Sequence, residues 1–408
     1  MGALNQRRPL CEGLPLTDTI RIRKLLSEGG SSLVYLAEEE QAFCVVKEIY
    51  PLRSTAALLR DDRGRVGIRA QSGTAAERQR TELRAIAERE SRLAHYVGKN
   101  GETNTIFAFP TAEITGEVRK NPQLAGTEAR YLKLSTGSGL TLPDYVSRLL
   151  AEQAQEALTL EQVLLLTAAV LEAVQHCHAK PALHLDIKPQ NLFFMTERPL
   201  EKTFCVLLDY GSGVMGSRLQ AGDAVSISHG YAAWELEKLF RCIERGDRYN
   251  EEKYRRLIGP HTDLAAVGMV LYELLCRTAG GARLEPEWKH LAGFTDQADL
   301  EDRLRRVLPE LLEEQPYLED RLFRLLSRAV YIPEEAVPEE LRAGRPADCA
   351  EFRRELGLLL EILRGEGIHG EILAETSRRQ FQQLAAEELP ELRPEWFPPA
   401  VPAGEDRS

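Results

Sequence analysis

The chain has 408 residues, 43% apolar and 28% charged, enough to bury a sizeable core in two or three domains or in one large two-lobed one. Its 52 Lys and Arg face 63 Asp and Glu, and the net charge of −11 argues against a broad surface for nucleic acid or anionic membrane. The cysteines (Cys11, Cys44, Cys177, Cys205, Cys242, Cys276 and Cys349) are scattered, with no C-x-x-C pair. That pattern points to reduced thiols in a cytoplasmic compartment, not to a disulfide framework or a zinc site. Arg7-Arg8 is not followed by the apolar core of a signal peptide. The apolar runs at 163–174 and 264–275 read as too short and too interrupted to span about 30 Å of hydrocarbon.

Residues 20–26 alternate loosely and predict a strand. It runs into Ser27-Glu28-Gly29-Gly30-Ser31-Ser32-Leu33-Val34, and Tyr35-Leu36-Ala37 returns as its partner. Phe43-Cys44-Val45-Val46-Lys47-Glu48-Ile49 predicts a buried strand with one lysine set in it. An ammonium in such a strand is costly without a partner, which singles out Lys47. Leu58-Leu59-Arg60, the turn Asp61-Asp62-Arg63-Gly64 and Arg65-Val66-Gly67-Ile68 predict an inserted hairpin. Residues 75–97 form a helical, highly charged stretch, most of it a solvated face with i,i+4 pairing. Strands are predicted over 105–110 and 129–134, and Gly137-Ser138-Gly139 then breaks the chain.

Helices are predicted over 140–150 and 160–178, the second apolar on most turns and therefore buried. His176 and His178 near its end read as polar or capping residues, not ligands. His184-Leu185-Asp186-Ile187-Lys188-Pro189-Gln190-Asn191 follows at once. Pro189 fixes its own backbone angle and biases the preceding residues away from helix, as a tight loop needs. Apolar strands at 192–194 and 204–208 lead to Asp209-Tyr210-Gly211, and a polar loop over 212–228 ends in Ser228-His229-Gly230-Tyr231-Ala232-Ala233-Trp234-Glu235. The charged stretch 237–256 reads as an inserted helix, either a substrate selector or inert. His261-Thr262-Asp263-Leu264-Ala265-Ala266-Val267-Gly268 opens a buried helix, and further helices cover 284–330. Residues 361–389 are helical in pattern with a break at Gly365-Glu366-Gly367, and 390–408 are Pro-rich and acidic. This end is either a packed helix with a disordered terminus or a tail that docks a regulatory partner.

Residues 184–191 resemble the catalytic loop of the protein-kinase family, with Asp186, Lys188 and Asn191 in its three functional places. Residues 27–34 resemble the family's glycine-rich hairpin, with Ser27 and Ser32 where the first and third Gly stand, and Gly29, Gly30 and Val34 matched. Lys47 resembles the V-A-I-K lysine, and Lys47-Glu48 with Pro51 and the insert resembles a group of bacterial kinase domains. Asp209-Tyr210-Gly211 is similar to D-F-G, and 228–235 to T-x-G-Y-x-A-P-E with Ser for Thr and Trp for Pro. Residues 261–268 resemble S-D-x-W-S-L-G, and Arg345-Pro346 the late position whose Arg pairs with the Glu of A-P-E.

The resemblance implies an α+β, two-lobed protein-kinase-like fold: a leader over 1–19, a small antiparallel-sheet lobe over 20–136, a larger helical lobe over 137–358 and a tail over 359–408. ATP and Mg²⁺ are the implied cofactors, bound in the cleft. Lys47 would pair with the α/β phosphates and with a helix Glu, for which Glu90 stands first and Glu88 and Glu82 are alternatives. Leu134 and Ser135 would lie in the hinge that meets adenine. Asn191 and Asp209 would hold metal, Asp186 would orient the acceptor hydroxyl, and Lys188 would neutralise the transferring phosphate. The implied activity is that of a Ser/Thr protein kinase acting on protein hydroxyls, with no nucleic-acid partner and no membrane span. A small-molecule phosphotransferase and a weakly active scaffold are the alternatives. Leu185 stands where many kinases carry an Arg that reads a phosphate on the activation loop, so activity is expected not to depend on that phosphate.

Overall fold

The computed structural model describes residues 8–51, 57–69, 72–98, 107–109, 111–135, 137–220, 223, 225–280, 296–312 and 316–365. They divide into two units. One holds the residues up to Ser138 together with Val206–Met215, and the other holds Gly139–Cys205 and the residues from Gly216 onward. The expected helical lobe over 137–358 therefore gives up the D-F-G-like segment to the first unit.

The first unit is built on β1 (Ile20–Glu28), β2 (Ser32–Glu39) and β3 (Ala42–Ile49). The inserted hairpin forms as β4 (Ala57–Arg60) and β5 (Val66–Arg69), paired antiparallel. Then come α1 (Gly73–Val97), β6 (Thr111–Glu113), the single turn α2 (Thr115–Val118) and β7 (Arg130–Leu134). The main sheet has the order β1-β2-β3-β7-β6 and is antiparallel throughout. The strand expected over 105–110 lies partly outside the described residues. In the described part Ala108 makes only an isolated parallel bridge to Leu207, and the ladder strand is β6. The apolar–polar alternation that marks β1 breaks at two register shifts, between Ile22 and Lys24 and between Leu25 and Ser27.

Helix α1 starts at Ser72, whose hydroxyl accepts from Ala75 N. It buries Gln79, Leu83, Ala87, Glu90, Ala94 and Val97, a stripe at helical spacing. The residues before β1, read as a leader, add Leu10, Leu14 and Leu16 to the sheet's core. Gly13 N and Ile22 N donate to Ile22 O and Leu14 O, at 2.8 and 3.0 Å, and tie this arm to β1.

In the second unit β8 (Gly139–Thr141) runs into α3 (Leu142–Glu152), then α4 (Leu160–Ala179). Thr159 and Gln162 form a reciprocal capping box at the start of α4. By length and composition alone α4 is apolar enough to cross a membrane, and 67% of its apolar window is buried within the chain, as expected of the core helix read from the sequence. It packs against α7 (Pro260–Leu275) and α11 (Cys349–Arg364). The strands β9 (Ala182–Leu183) and β10 (Leu192–Met195) flank the 184–191 loop, and β10 pairs with β8. β11 (Cys205–Leu207) carries the chain into the first unit, where β12 (Val214–Met215) ends the excursion.

The helices α5 (Trp234–Arg245) and α6 (Arg248–Arg255) fill the charged stretch read as an insertion, which is a helix pair and not one helix. Trp234 stands edge-on to Tyr254 at 5.7 Å, so the Trp in the A-P-E-like position ties the pair together. Further on lie α8 (Gln297–Leu311), α9 (Glu319–Ala329) and α10 (Pro338–Gly344). Gly268 lets α7 approach α9, because a Cβ there would stand 2.7 Å from Ala329 Cβ. Helix α11 ends at Gly365 in the left-handed conformation. The hinge residue Thr136, residues 281–295 and the tail over 366–408 lie outside the described residues.

Candidate active site

Lys47 is buried in β3 and stands opposite Val34 of β2 and Leu132 of β7. Its ammonium donates to Glu90 Oε1 at 2.8 Å and to Asp209 Oδ1 at 2.7 Å. Of the three acids offered on α1, Glu90 is thus the partner, while Glu82 and Glu88 are exposed. The helical stripe explains the choice, since Glu90 falls on it and the other two do not. Burial alone would lower the pKa of Lys47, but Asp209 and Glu90 more than reverse this and hold it charged. Burial pushes the Glu90 carboxyl up to about 7, with Lys47 pulling down and Asp209 adding a push upward.

Asp209 has φ 60°, left-handed, at the head of a short 3-10 turn, and its Oδ1 also accepts from Gly211 N at 3.2 Å. Gly29 and Gly30 lie in the β1–β2 turn, where Gly29 N donates to Ser32 O at 2.9 Å. An added Cβ at Gly30 would meet open space. Packing within the chain therefore does not require glycine there. Ser27 is exposed on β1 and Ser32 is buried at the start of β2. Leu134 closes β7 opposite Val45, and Ser135 follows it, exposed.

The second unit gathers Asp186, Lys188 and Asn191, and adds Ser228. Lys188 Nζ donates to Asp186 Oδ2 at 2.8 Å and to Ser228 Oγ at 2.7 Å, and Ser228 Oγ donates to Asp186 Oδ1 at 2.6 Å. Asn191 Nδ2 donates to Asp186 O at 2.8 Å and to Asp186 Oδ2 at 3.1 Å. Its amide nitrogen being so engaged, the oxygen remains as the atom able to ligate a hard cation. Pro189 opens the 3-10 turn that carries Asn191. Such an amide oxygen, like the Asp209 carboxylate of the first unit, is of the hard-oxygen kind that Mg²⁺ takes.

Asp263 at the start of α7 anchors the loop. His184 N donates to its Oδ2 at 2.9 Å and Leu185 N to its Oδ1 at 2.8 Å. Leu185 has φ 60°, a conformation that costs an L-residue about 1–3 kcal/mol and persists only where the surroundings hold it. His178 Nε2 lies 2.9 Å from Asp263 Oδ2, so this histidine is part of the anchor. Sequence reasoning missed that role because α4 and α7 are far apart in the chain. Burial would raise the Asp263 pKa, but hydrogen bonding and charge from His178, with His184 adding to it, bring it below the usual value.

Glu235 and Arg345 are both fully buried and form a two-pronged pair at 2.7 and 2.8 Å. Thr262 Oγ1 donates to the same carboxylate at 2.8 Å. A second buried carboxylate was not singled out in the sequence. Glu48, next to Lys47 in β3, accepts from Tyr35 Oη at 3.0 Å, Tyr131 Oη at 2.7 Å and Arg60 Nη2 at 2.5 Å. Its charge in an apolar strand was the available signal, the same one that marks Lys47. Among the described residues no cluster of His, Cys, Asp and Glu is arranged to hold a metal by itself.

Residues 126–298 match the family model described as the protein kinase domain. The SNF-related serine/threonine-protein kinase of Rattus norvegicus is 26% identical over 146 residues, which are 36% of this chain and 16% of that protein. The chain thus matches only a small part of the length of such curated relatives. A solved structure of the Mycobacterium tuberculosis PknI kinase domain is 17% identical, with 86% of this chain and 98% of that one covered, at a TM-score of 0.48. The solved structure of PpkA-294 in its apo form is 19% identical, with 85% and 99% covered, at a TM-score of 0.50, a likeness of fold. The stretch matched by the protein kinase domain model takes in the 184–191 loop and the Asp209 segment, so the likeness to that family lies where these residues stand.

Proposed function

We propose that this protein is an ATP-dependent serine/threonine protein kinase. The observation that supports it most is the closed set of hydrogen bonds among Asp186, Lys188 and Ser228. It fixes a carboxylate and an ammonium of the 184–191 loop against one hydroxyl from a separate segment, which is the positioning that phosphoryl transfer needs. In this reading the hydroxyl oxygen of a protein Ser or Thr attacks the γ-phosphorus of ATP, and the bond to the ADP oxygen breaks. Asp186 accepts the hydroxyl proton, and Lys188 offsets charge on the transferring group. Lys47, kept charged by Glu90 and Asp209, serves the α/β phosphates. Ser27, Gly29, Gly30, Ser32 and Val34 would line the phosphate side, with Leu134 and Ser135 at the adenine side. Asn191 and Asp209 would hold Mg²⁺, which neutralises phosphate charge when bound. The scattered cysteines, of which Cys44, Cys177, Cys205 and Cys349 are buried, support a reducing, cytoplasmic setting.

The test is incubation of the purified chain with labelled ATP, Mg²⁺ and a mixed Ser/Thr/Tyr peptide library, followed by mapping of the phosphorylated residues. Transfer to Ser and Thr is expected. Transfer mainly to Tyr, or only to small molecules, would overturn the reading.

A further inference from the structure

The first unit carries an open cavity of about 280 Å³ whose wall includes four arginines, Arg80, Arg84, Arg119 and Arg130, with Glu128 and Thr127. Such a concentration of guanidinium is unexpected in a chain of net charge −11. Arg80 and Arg84 lie four residues apart on one face of α1, a like-charge spacing that disfavours the helix unless an anion offsets it.

Among the described residues Glu128 is the one acid in the wall, and it is taken up mainly by Arg80, whose Nε and Nη2 donate to its Oε1 at 2.9 and 2.7 Å. Glu77 reaches Arg80 at 3.3 Å, and Glu113 accepts from Arg130 Nη1 at 3.0 Å. Arg119 Nε donates to Thr127 O at 2.9 Å, while its Nη2 stands 4.0 Å from Glu128, too far for a hydrogen bond. Among the described residues Arg84 has no acid partner. With Glu77 and Glu113 counted beside Glu128, the arginines are still in excess. Burial first, and then the positive charge of Arg130, holds the Arg119 guanidinium below the usual arginine range, against the pull of Glu128 and Glu113.

We propose that this cavity is a binding site for a phosphate monoester, specifically a phosphorylated Ser or Thr side chain of a protein segment. Donors remain on Arg84, Arg119 and Arg130, and guanidinium forks match phosphate oxygens in planar, two-pronged pairs. A carboxylate is already present and leaves the excess standing. A phosphate group brings about −1.5 to −2 charges and three acceptor oxygens, which suits what is left.

The experiment measures binding, so it stands apart from whether the chain transfers phosphate. The full chain is titrated calorimetrically with the peptide Ala-Ala-pThr-Ala-Ala, its unphosphorylated form and its Glu-containing form, at constant ionic strength. The phosphopeptide should bind at least tenfold tighter than either. Arg84→Gln combined with Arg119→Gln should weaken it at least tenfold, and the double change to Lys should recover only part, because the fork is lost. Arg84→Gln alone touches an exposed side chain and keeps a folded variant in hand. Lys47→Ala should leave binding unchanged, which separates this cavity from the nucleotide site. Once transfer to the chain itself has been verified by mapping, prior incubation with ATP distinguishes two sources of the ligand: a phosphorylated residue of the chain blocks the peptide until phosphatase is added, whereas supply by another protein leaves the titration as before. Equal binding of the three peptides, or unaltered binding by the double Gln variant, would overturn the proposal.

Discussion

Asp186 has both carboxylate oxygens engaged, one by Ser228 and the other by Lys188 and Asn191. Replacing Asp186 by Ala should lower turnover by ~10²–10⁴ through loss of the base and its positioning. Ser228→Ala removes the hydrogen bond donated to Asp186 and the one accepted from Lys188, each worth about 1.5–3 kcal/mol as a bond to a charged group, and should lower kcat by at least roughly tenfold. Ser228→Thr, which keeps the hydroxyl, should restore most of that; steady-state kinetics on an exogenous substrate decides, and an unchanged kcat in the Ala variant refutes the role. Glu90 gives a pH signature. Its folded-state pKa is raised from 4.5 to about 7, so its contribution to stability is complete below about 4.5 and is lost as pH rises through about 7. The ion pair with Lys47 needs the ionised form, so activity should rise through the same window, and Glu90→Gln should flatten that limb of the pH–rate profile. The lysine was legible in the sequence because a charge in an apolar strand demands a partner. The partner was not, since three acids on one helix differ only in the face they occupy.

The same strand shows what an element-level reading leaves out. Successive side chains of β3 point to opposite faces, so Lys47 and Glu48 need separate partners. The partner of Glu48 is Arg60, on the hairpin that reads as an insertion. Arg60 also donates to Arg8 O and Gly64 O, both at 2.6 Å, and its guanidinium lies over the Tyr50 ring at 5.2 Å. The hairpin is therefore clamped to the sheet. Arg60→Met leaves a buried carboxylate without its cation and should destabilise the chain by about 3–5 kcal/mol, whereas Glu48→Gln with Arg60→Met should cost clearly less. Urea unfolding of the two variants measures the difference, and equal losses would mean that the charges are not coupled. The Glu235–Arg345 pair makes a complementary prediction. Burial would raise the Glu235 pKa, but Arg345 brings it below the usual 4.5. A depressed carboxyl contributes stability that is present above its ordinary value and lost as pH falls through the folded one. Acid denaturation should accordingly be less steep in the Glu235→Gln, Arg345→Met double variant.

For the molecule as a whole, hydrophobic pattern and motif order made the fold legible, because strands, helices and tight loops each have a local cause. Long-range partners had none: His178 with Asp263 and the arginine cavity are assembled by tertiary packing of residues distant in sequence. The family match begins at residue 126 and so leaves out the hairpin with Ser27 and Ser32, Lys47 and the clamped insertion, where the sequence departs from the pattern. Regulation is a whole-chain property. Leu185 offers no charge to a phosphate on the 212–228 loop, so Ser212, Ser217 and Ser226 changed together to Ala should keep activity within about tenfold, ~1.4 kcal/mol. A larger loss in a folded variant would show the loop to be a phosphate switch.

The first unit takes Val206–Met215 from far along the chain. On a ribosome its sheet strands are complete by Leu134, yet Asp209, the second acid on Lys47, is made about seventy-five residues later, roughly 4–15 s at 5–20 residues per second. Throughout that interval Lys47 has Glu90 alone, and Ala108 lacks its bridge to Leu207. A nascent chain stalled at residue 138 should be cut readily by protease within α1, and one stalled well past residue 215 should not, so protection of the first unit is expected to wait for Met215 although its sheet strands end at Leu134.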